Sequence, residues 1–269
     1  MSSALLSEAL APMRANPKSS AILLDIDGTL APIVGNASDA HVPQGTRQLL
    51  KAVANRYGLV ACVSGRRASE ARAMVGVGTI SYLGSHGVEL LRAGWTEAVL
   101  DPGVEEWVQR IREFGRQADT ADARKLRIRL EDKAAIVAFH WRGAPDEEAA
   151  RAAVDAIAER AQDAGLRTHW GRKVLEVRPP VKMDKGQGIR NLFDVAGEGI
   201  EAALYVGDDS TDIDAFRALG ELVEEGRLVR SVRVGVSSDE GPSAIVENAD
   251  VVVDGTDGVS DLLSVLAHD

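Results

Sequence analysis

The stretch AILLDIDGT, residues 21–29, is the part of the sequence that decides the fold. An apolar run is followed directly by Asp25 and Asp27, which the two-residue period of a strand places on one face, and by Gly28, which lets the backbone turn. A short run that is apolar on both faces is typical of a strand in a parallel sheet covered by helices. Because such sheets bind ligands at the carboxyl ends of their strands, the two carboxylates are candidate site residues.

Similar apolar runs recur later in the chain and are mostly separated by segments of helical period: residues 59–63, 203–206, 232–236 and 251–253. This βαβ pattern predicts an α/β fold with a parallel sheet. Polar motifs follow two of these runs directly: Ser-Gly-Arg at 64–66 and Gly-Asp-Asp-Ser-Thr-Asp at 207–212. We therefore expect these motifs to meet Asp25 at one edge of the sheet.

The pattern changes between residues 104 and 180, where a helix and two strands are followed by a second helix and two more strands. The first of these strands is expected at residues 126–133. We predict an α+β insert over 104–180 within a discontinuous core formed by 1–103 and 181–269. The turn at 101–103 opens the insert and a pair of prolines at 179–180 closes it, and both breaks suit hinges.

Composition excludes several classes of partner. The 269 residues are 45% hydrophobic and 27% charged, which is ordinary for a folded protein. The 41 acidic residues exceed the 31 basic residues by ten, so the overall field repels DNA, RNA and acidic membranes. No apolar run approaches the ~20 residues of a membrane span and no signal peptide is apparent, so we expect a cytoplasmic protein. The oligomeric state stays open, and a monomer is compatible with the sequence.

The acidic residues at the two strand ends suggest a metal site: Asp25, Asp27, Asp208, Asp209 and Asp212. Carboxylates this close together need a cation, and an oxygen-lined site suits Mg²⁺. Helix capping is the alternative for the second group, but capping explains one acidic residue and not three.

Ser64 and Lys185 are the other candidate catalytic residues. Ser64 can donate a hydrogen bond to a phosphoryl oxygen, although it could equally be a turn residue. Lys185, at the start of a helical stretch, can offset the negative charge of a carboxylate and a phosphate. Lys182 competes with it for that role.

In their order and their placement on strands, these residues resemble the four motifs of the haloacid dehalogenase (HAD) superfamily of phosphotransferases: Asp25-x-Asp27-Gly-Thr, Ser64, Lys185, and Gly207-Asp208 with Asp212. More narrowly, the chain resembles the trehalose-6-phosphate phosphatase family over nearly all of its length: residues 24–33, 64–66, 84–89, 176–179, 184–186 and 207–212. The resemblance implies a Rossmann-like core with an inserted α+β cap and a Mg²⁺-dependent phosphatase acting on a small sugar phosphate, trehalose 6-phosphate. Ile213 departs from the family, which usually has an acidic residue there.

The resemblance also implies a role for each acidic residue. Asp25 would attack phosphorus and form an aspartyl phosphate, while Asp27 would protonate the leaving sugar oxygen and then deprotonate the hydrolytic water. Asp25 and Asp208 would hold Mg²⁺ with help from Asp209 or Asp212, and Asp27 is a further candidate ligand.

The strands of the insert carry a second clue, because one face of each is apolar and the other is polar. If the polar faces turn toward the core, their side chains can hydrogen-bond sugar hydroxyls: Glu131, Lys133, His140, Arg142, Glu176 and Arg178. A solvated outer face is the alternative, and the resemblance favours the sugar contact. Arg66, His86 and Glu89 are further candidate substrate contacts, although Arg66 and His86 could also be structural.

Three classes of function stay open on the sequence alone. The first is hydrolysis of trehalose 6-phosphate or of a related compound such as sucrose phosphate or a glycosyl phosphoglycerate. The second is a phosphosugar mutase, in which the phosphoaspartate returns its phosphoryl group to a sugar. The third is a non-catalytic sugar-phosphate sensor, against which the joint presence of the candidate catalytic residues argues.

Overall fold

The computed structural model describes residues 3–34, 40–133, 135–238 and 241–268. It divides into two compact units, one formed by Met1–Val99 with Met183–Asp269 and the other by Leu100–Lys182. Along the chain, the second unit is thus inserted in the first. That the insert determines substrate specificity stays a prediction.

The structure has a strand at each of the five apolar runs, and three further strands, Ser81–Gly84, Glu89–Leu91 and Val99–Leu100, are not among those that the sequence pattern predicts. In chain order the strands are β1 (Ser20–Leu24), β2 (Leu59–Val63), β3 (Ser81–Gly84), β4 (Glu89–Leu91), β5 (Val99–Leu100), β6 (Arg129–Asp132), β7 (Val137–His140), β8 (Arg167–Gly171), β9 (Val174–Arg178), β10 (Ala202–Gly207), β11 (Arg230–Ser237) and β12 (Val251–Asp254). The α-helices are α1 (Ser3–Ala15), α2 (Gln44–Arg56), α3 (Ala68–Val75), α4 (Pro102–Ala118), α5 (Ala121–Lys125), α6 (Glu147–Asp163), α7 (Lys185–Ala196), α8 (Asp212–Glu224), α9 (Ser243–Glu247) and α10 (Gly255–Ala267).

The first unit is built on an eight-stranded sheet with the order β12-β11-β10-β1-β2-β3-β4-β5. The strands from β12 to β3 are parallel, and β4 pairs antiparallel with β3. In the register of β1, Leu24 lies beside Val206 on one side and Cys62 on the other. This register brings the residues that follow β1, β2 and β10 to the same edge of the sheet. The predicted α/β fold with a Rossmann-like parallel core is confirmed.

Helices cover both faces of this sheet, since its central strands are apolar on both faces. On one face Leu24 packs in a core with Leu50 of α2 and Leu262 of α10. On the other face Leu23 packs in a core with Phe216 of α8. Because β1 is buried along its whole length, the polar residues that follow it emerge only at its carboxyl end.

The second unit has a four-stranded antiparallel sheet with the order β6-β7-β9-β8. Helices α4 and α6 pack against this sheet, and their apolar residues share a core with Phe139 of β7 and Leu175 of β9. Alternation along β9 therefore leaves Glu176 and Arg178 on the face away from that core.

The first strand of the second unit is shorter than the pattern at 126–133 predicts. Helix α5 runs to Lys125, and Arg127 has a φ of 58°, a left-handed conformation that interrupts an extended strand. The backbone N–H of Ile128 donates to the carbonyl of Ala123 at 3.0 Å, so this residue still belongs to the helix end. Strand β6 therefore begins at Arg129, and Glu131 lies within it.

Among the described residues, no helix combines the length and the apolar character needed to cross a membrane. The cytoplasmic location stays a prediction from the sequence, and the oligomeric state stays open.

Candidate active site

Asp25 follows β1 directly and lies at the centre of the site. Its backbone N–H donates to the carbonyl of Val206 at 2.9 Å, which continues the parallel ladder by one residue. Only 5% of its surface is exposed, and its Oδ1 accepts a hydrogen bond from Lys185 Nζ at 2.6 Å. Burial raises the pKa of Asp25 well above its usual value, although the Lys185 ammonium opposes this.

Asp208 follows β10 and is held beside Asp25 by the turn after β1. The Thr29 hydroxyl donates to Asp208 Oδ1 at 3.0 Å. Gly28 has a φ of 85°, and a Cβ there would lie 2.0 Å from Asp208 Oδ2, so this position requires glycine. Burial, followed by the charge of Asp212, raises the pKa of Asp208 to about 6.

Asp212 begins α8 and holds the loop after β10. Its Oδ2 accepts the backbone N–H groups of Asp208 at 3.0 Å and Asp209 at 2.9 Å. Its Oδ1 accepts from Lys185 Nζ and from the Tyr205 hydroxyl, both at 2.6 Å. The carboxylate is fully buried and accepts four hydrogen bonds.

Lys185 is the first residue of α7, and it joins the two halves of the acidic cluster. Its ammonium contacts both Asp25 Oδ1 and Asp212 Oδ1. Asp184, at the N-cap of α7, accepts the backbone N–H of Gln187 at 2.8 Å and so fixes the start of the helix. Burial alone would lower the pKa of Lys185, but the two carboxylates outweigh burial and raise it above its usual value. Lys185 therefore stays charged.

Three of the five predicted metal-binding carboxylates come together. Asp25, Asp208 and Asp212 each offer an oxygen atom, and these atoms lie within 4.8 Å of one another. Three buried carboxylates beside one ammonium leave an excess of negative charge, which a divalent cation would offset. The donor set therefore fits a divalent cation.

The other two predicted metal ligands have different surroundings. Asp27 accepts two hydrogen bonds from Arg66, from Nε to Oδ2 and from Nη2 to Oδ1, both at 2.7 Å. Its side chain is 40% exposed. Asp209 Oδ1 accepts the backbone N–H of Ser210 at 2.6 Å. Metal binding by Asp27 and Asp209 stays a prediction.

Ser64 lies at the end of β2 in a loop that is tied to the following turn. Its backbone N–H donates to the carbonyl of Leu83, and its Oγ accepts the backbone N–H of Arg66 at 3.1 Å. Ser85 and His86 donate their backbone N–H groups to the carbonyls of Arg66 and Ser64, respectively. Ser85 and His86 both have positive φ, 51° and 59°, so this loop is held by a strained turn.

The Glu89 carboxylate makes its contacts at the start of helix α3. It is almost fully buried, and its Oε2 accepts the backbone N–H of Ala68, the first residue of α3, at 2.8 Å. Its Oε1 lies 3.5 Å from Arg67 Nε. The carboxylate thus caps a helix that follows the Ser64 loop, and the predicted sugar contact of Glu89 stays a prediction.

Most of the predicted sugar contacts in the second unit form one charged network. Glu131 Oε2 lies 2.7 Å from His140 Nε2, and Lys133 Nζ donates to Glu176 Oε1 at 3.2 Å. Arg178 also donates to Glu176. Burial raises the pKa of Glu176, but Arg178 and Lys133 outweigh burial and lower it overall. Arg142 lies apart from this network, where it donates to the carbonyl of Arg172 at 3.4 Å.

Thr29 and Tyr205 are site residues that sequence reasoning misses. Each holds a carboxylate of the cluster through its hydroxyl group. Thr29 belongs to the motif that follows β1, so its place in that motif could have indicated a role in the site. Tyr205 lies within an apolar strand, and its sequence surroundings give no sign of a polar role.

Solved structures share the fold of the chain. A haloacid dehalogenase-like hydrolase from Bacteroides thetaiotaomicron shares the fold with a TM-score of 0.61 at 15% identity, covering 91% of this chain and 98% of that one. The family is then shown by sequence: the chain belongs to the trehalose-phosphatase family, whose model matches residues 23–250.

Individual relatives are described as members of the same family. The probable trehalose-phosphate phosphatase 9 of Oryza sativa subsp. japonica is 35% identical over 240 residues, which cover 79% of this chain and 62% of that relative. The solved C-terminal domain of a C. albicans trehalose-6-phosphate phosphatase has a TM-score of 0.67 at 19% identity, covering 99% of this chain and 97% of that one. The matches span 62%, 56% and 58% of three curated plant relatives.

Proposed function

We propose that this chain is a Mg²⁺-dependent phosphatase that hydrolyses trehalose 6-phosphate to trehalose and inorganic phosphate. The observation that carries the proposal is the buried 2.6 Å contact between Asp25 Oδ1 and Lys185 Nζ, beside Asp208, in a chain of the trehalose-phosphatase family. Such a carboxylate is suited to attack a phosphoryl group, because neighbouring positive charge reduces the repulsion between the two anions.

The reaction proceeds in two displacements. In the first, a carboxylate oxygen of Asp25 forms a bond to phosphorus while the bond from phosphorus to the sugar oxygen breaks, and Asp27 gives that oxygen a proton. In the second, a water oxygen attacks phosphorus, Asp27 takes a proton from the water, and the bond to Asp25 breaks. General acid and base catalysis of this kind contributes a factor of about 10²–10⁴ in rate.

The exposure of Asp27 supports its role, because an acid and base must reach both solvent and the leaving oxygen. In the structure its carboxylate is occupied by the two donors of Arg66. These two hydrogen bonds must break before Asp27 can bind the proton that it donates to the leaving sugar oxygen. A guanidinium donates paired hydrogen bonds to phosphoryl oxygens as well as to carboxylates. Arg66 would therefore release Asp27 and bind the phosphoryl group of the substrate.

Asp25 and Asp208 would hold the metal ion, and Asp212, whose oxygens accept four hydrogen bonds, would add negative charge beside it. When bound, Mg²⁺ offsets the repulsion between the Asp25 carboxylate and the phosphoryl group. Lys185 and Thr29 orient the two carboxylates. They would therefore need little rearrangement to bind a cation.

Two observations support trehalose as the sugar. The relatives are described as trehalose-phosphate phosphatases, and the second unit carries the charged network. Glu131, His140 and Glu176 offer charged acceptors and a ring nitrogen, and Lys133 and Arg178 offer donors. Such a set suits a ligand that carries many hydroxyl groups.

The test is phosphate release from trehalose 6-phosphate, sucrose phosphate, glucose 6-phosphate and mannosylglycerate-type phosphates, each with Mg²⁺ and with a chelator. We expect the highest kcat/KM for trehalose 6-phosphate, and no release after chelation. Faster release from another sugar phosphate would replace trehalose in the proposal. Isomerised sugar phosphate without free phosphate would indicate a mutase.

A further inference from the structure

We propose that Tyr205 is a positioning residue that keeps Lys185 on Asp25 by acting through Asp212. This inference rests on the proposed function only in treating Asp25 as the nucleophile. Tyr205 itself has no exposed surface, so it is not placed to touch a substrate.

Hydrogen bonds fill the acceptor capacity of Asp212. A carboxylate offers about four lone-pair sites, and Asp212 receives four hydrogen bonds. Its Oδ2 is committed to two backbone N–H groups of the loop after β10. Its Oδ1 is therefore the atom that can adjust, and Tyr205 and Lys185 share it.

Tyr205 is held in position at both its ring and its hydroxyl group. Its ring packs edge to face on Phe216 of α8, with the ring centroids 5.9 Å apart, and its hydroxyl lies 2.6 Å from Asp212 Oδ1. A tyrosine hydroxyl, with an ordinary pKa of about 10, is protonated at neutral pH, so it is the donor and the Asp212 carboxylate is the acceptor.

The Lys185 ammonium is shared between Asp25 Oδ1 and Asp212 Oδ1, with a distance of 2.6 Å to each. Without the Tyr205 hydroxyl, Asp212 Oδ1 keeps one donor, and this buried carboxylate draws the ammonium toward itself. Asp25 then loses part of its neutralising charge. The expected defect is in the chemical step.

The experiment replaces Tyr205 by Phe, which removes the hydroxyl and keeps the ring. Tyr82→Phe is the matched control, because the Tyr82 hydroxyl is also buried and donates to the carbonyl of Val77 at 2.6 Å, outside the acidic cluster. We expect Tyr205→Phe to lower kcat about tenfold, with KM within about twofold of the parent value, and Tyr82→Phe to leave both unchanged. Equal kcat values in the two variants at equal losses of Tm would overturn the inference.

A second measurement needs neither turnover nor a folded Tyr205 variant. The chain has three tyrosines, Tyr57, Tyr82 and Tyr205, so labelling with 3-fluorotyrosine gives three ¹⁹F resonances, and Tyr57→Phe and Tyr82→Phe identify the third. In the labelled protein, Lys185→Met is expected to shift the Tyr205 resonance and leave the other two in place. An unmoved Tyr205 resonance would contradict the connection through Asp212.

The two measurements separate this inference from the proposed function. If trehalose 6-phosphate is not hydrolysed, the proposed substrate fails, while the resonance shift still reports the contact between Tyr205, Asp212 and Lys185. If trehalose 6-phosphate is hydrolysed and Tyr205→Phe has full kcat, the positioning role fails and the proposed function stands.

Discussion

At the scale of single residues, Lys185 determines the charge balance of the acidic cluster. It is the ammonium that the structure places between Asp25 and Asp212, and all three side chains are buried. Removing one partner of a buried ion pair leaves an uncompensated charge, which costs more than an exposed pair contributes.

Lys185→Met is therefore expected to destabilise the metal-free protein by about 3–5 kcal/mol and to lower kcat by at least about 10²-fold. Urea unfolding and phosphate release measure the two effects. The control is Lys18→Met in the same unit, because the Lys18 ammonium is exposed and donates to the carbonyl of Asn55. A Lys185 variant as stable as the Lys18 variant would contradict this account of the charge balance.

Metal binding is expected to depend on pH through Asp208, whose pKa is raised to about 6. The metal ion binds the ionised carboxylate and competes with the proton, so affinity rises as pH increases through about 6 and levels off above it. At pH 5 we expect Mn²⁺ or Mg²⁺ affinity to be at least about tenfold lower than at pH 7.5. Titration calorimetry measures this difference, and an affinity that is constant over that range would count against Asp208 as a ligand.

The candidate site residues that the sequence predicts best are those at strand ends. Asp25 and Ser64 directly follow apolar runs, Asp208 follows one after Gly207, and the register of the parallel strands brings all three to the same edge of the sheet. The pairing of Asp27 with Arg66, 39 residues apart, leaves no comparable trace, because the sequence does not show how an exposed side chain turns.

At the scale of elements, the turn at Ser85–Gly87 and helix α7 approach each other through two glycines. A Cβ on Gly188 would lie 2.4 Å from the Cα of Gly87, which is a backbone atom that cannot move aside. The close approach fixes the start of α7, where Lys185 is the first helical residue.

Gly188→Ala is expected to destabilise the protein by about 1–3 kcal/mol and to lower kcat, because the added methyl group pushes α7 away from the turn. Gly220→Ala in α8 is the matched helical control, since a Cβ there meets nothing within 4 Å. That control is expected to gain about 0.5–1 kcal/mol of stability. Urea unfolding of both variants measures the contrast, and equal stabilities would argue against the close approach.

Strands that form from apolar runs are easier to predict than β6. The run at 59–63 is buried on both faces, so its composition alone indicates β2, whereas the sequence pattern does not predict β3, β4 and β5 of the same sheet. Apolar and polar residues alternate over 126–133 as they do in a strand. Because Arg127 has a left-handed backbone conformation, however, β6 begins only at Arg129. A single backbone angle at a non-glycine residue is not visible in such a pattern.

At the scale of the whole molecule, the chain is divided between a unit that carries the acidic cluster and a unit that carries the charged network. The family and the parallel core follow from the order of motifs along the sequence. The specificity role of the second unit stays a prediction. The alternating pattern indicates which side chains share the polar face, but it does not show which of them pair with one another.

Glu176→Gln is expected to raise KM for trehalose 6-phosphate about tenfold, because it weakens the contacts of Glu176 with Lys133 and Arg178 and removes a charged acceptor for the sugar. Hydrolysis of p-nitrophenyl phosphate, which lacks the sugar, should stay within about twofold of the parent rate. Glu147→Gln is the control in the same unit, since Glu147 pairs with Lys173 outside the network. Equal effects on both substrates would contradict a role in reading the sugar.

The most direct test of the central claim is rapid acid quenching of the Mg²⁺-loaded protein during turnover of trehalose 6-phosphate, followed by mass spectrometry of the chain. We expect one added phosphoryl group on Asp25, and neither adduct nor turnover in Asp25→Asn. Hydrolysis at the parent rate by Asp25→Asn would contradict it.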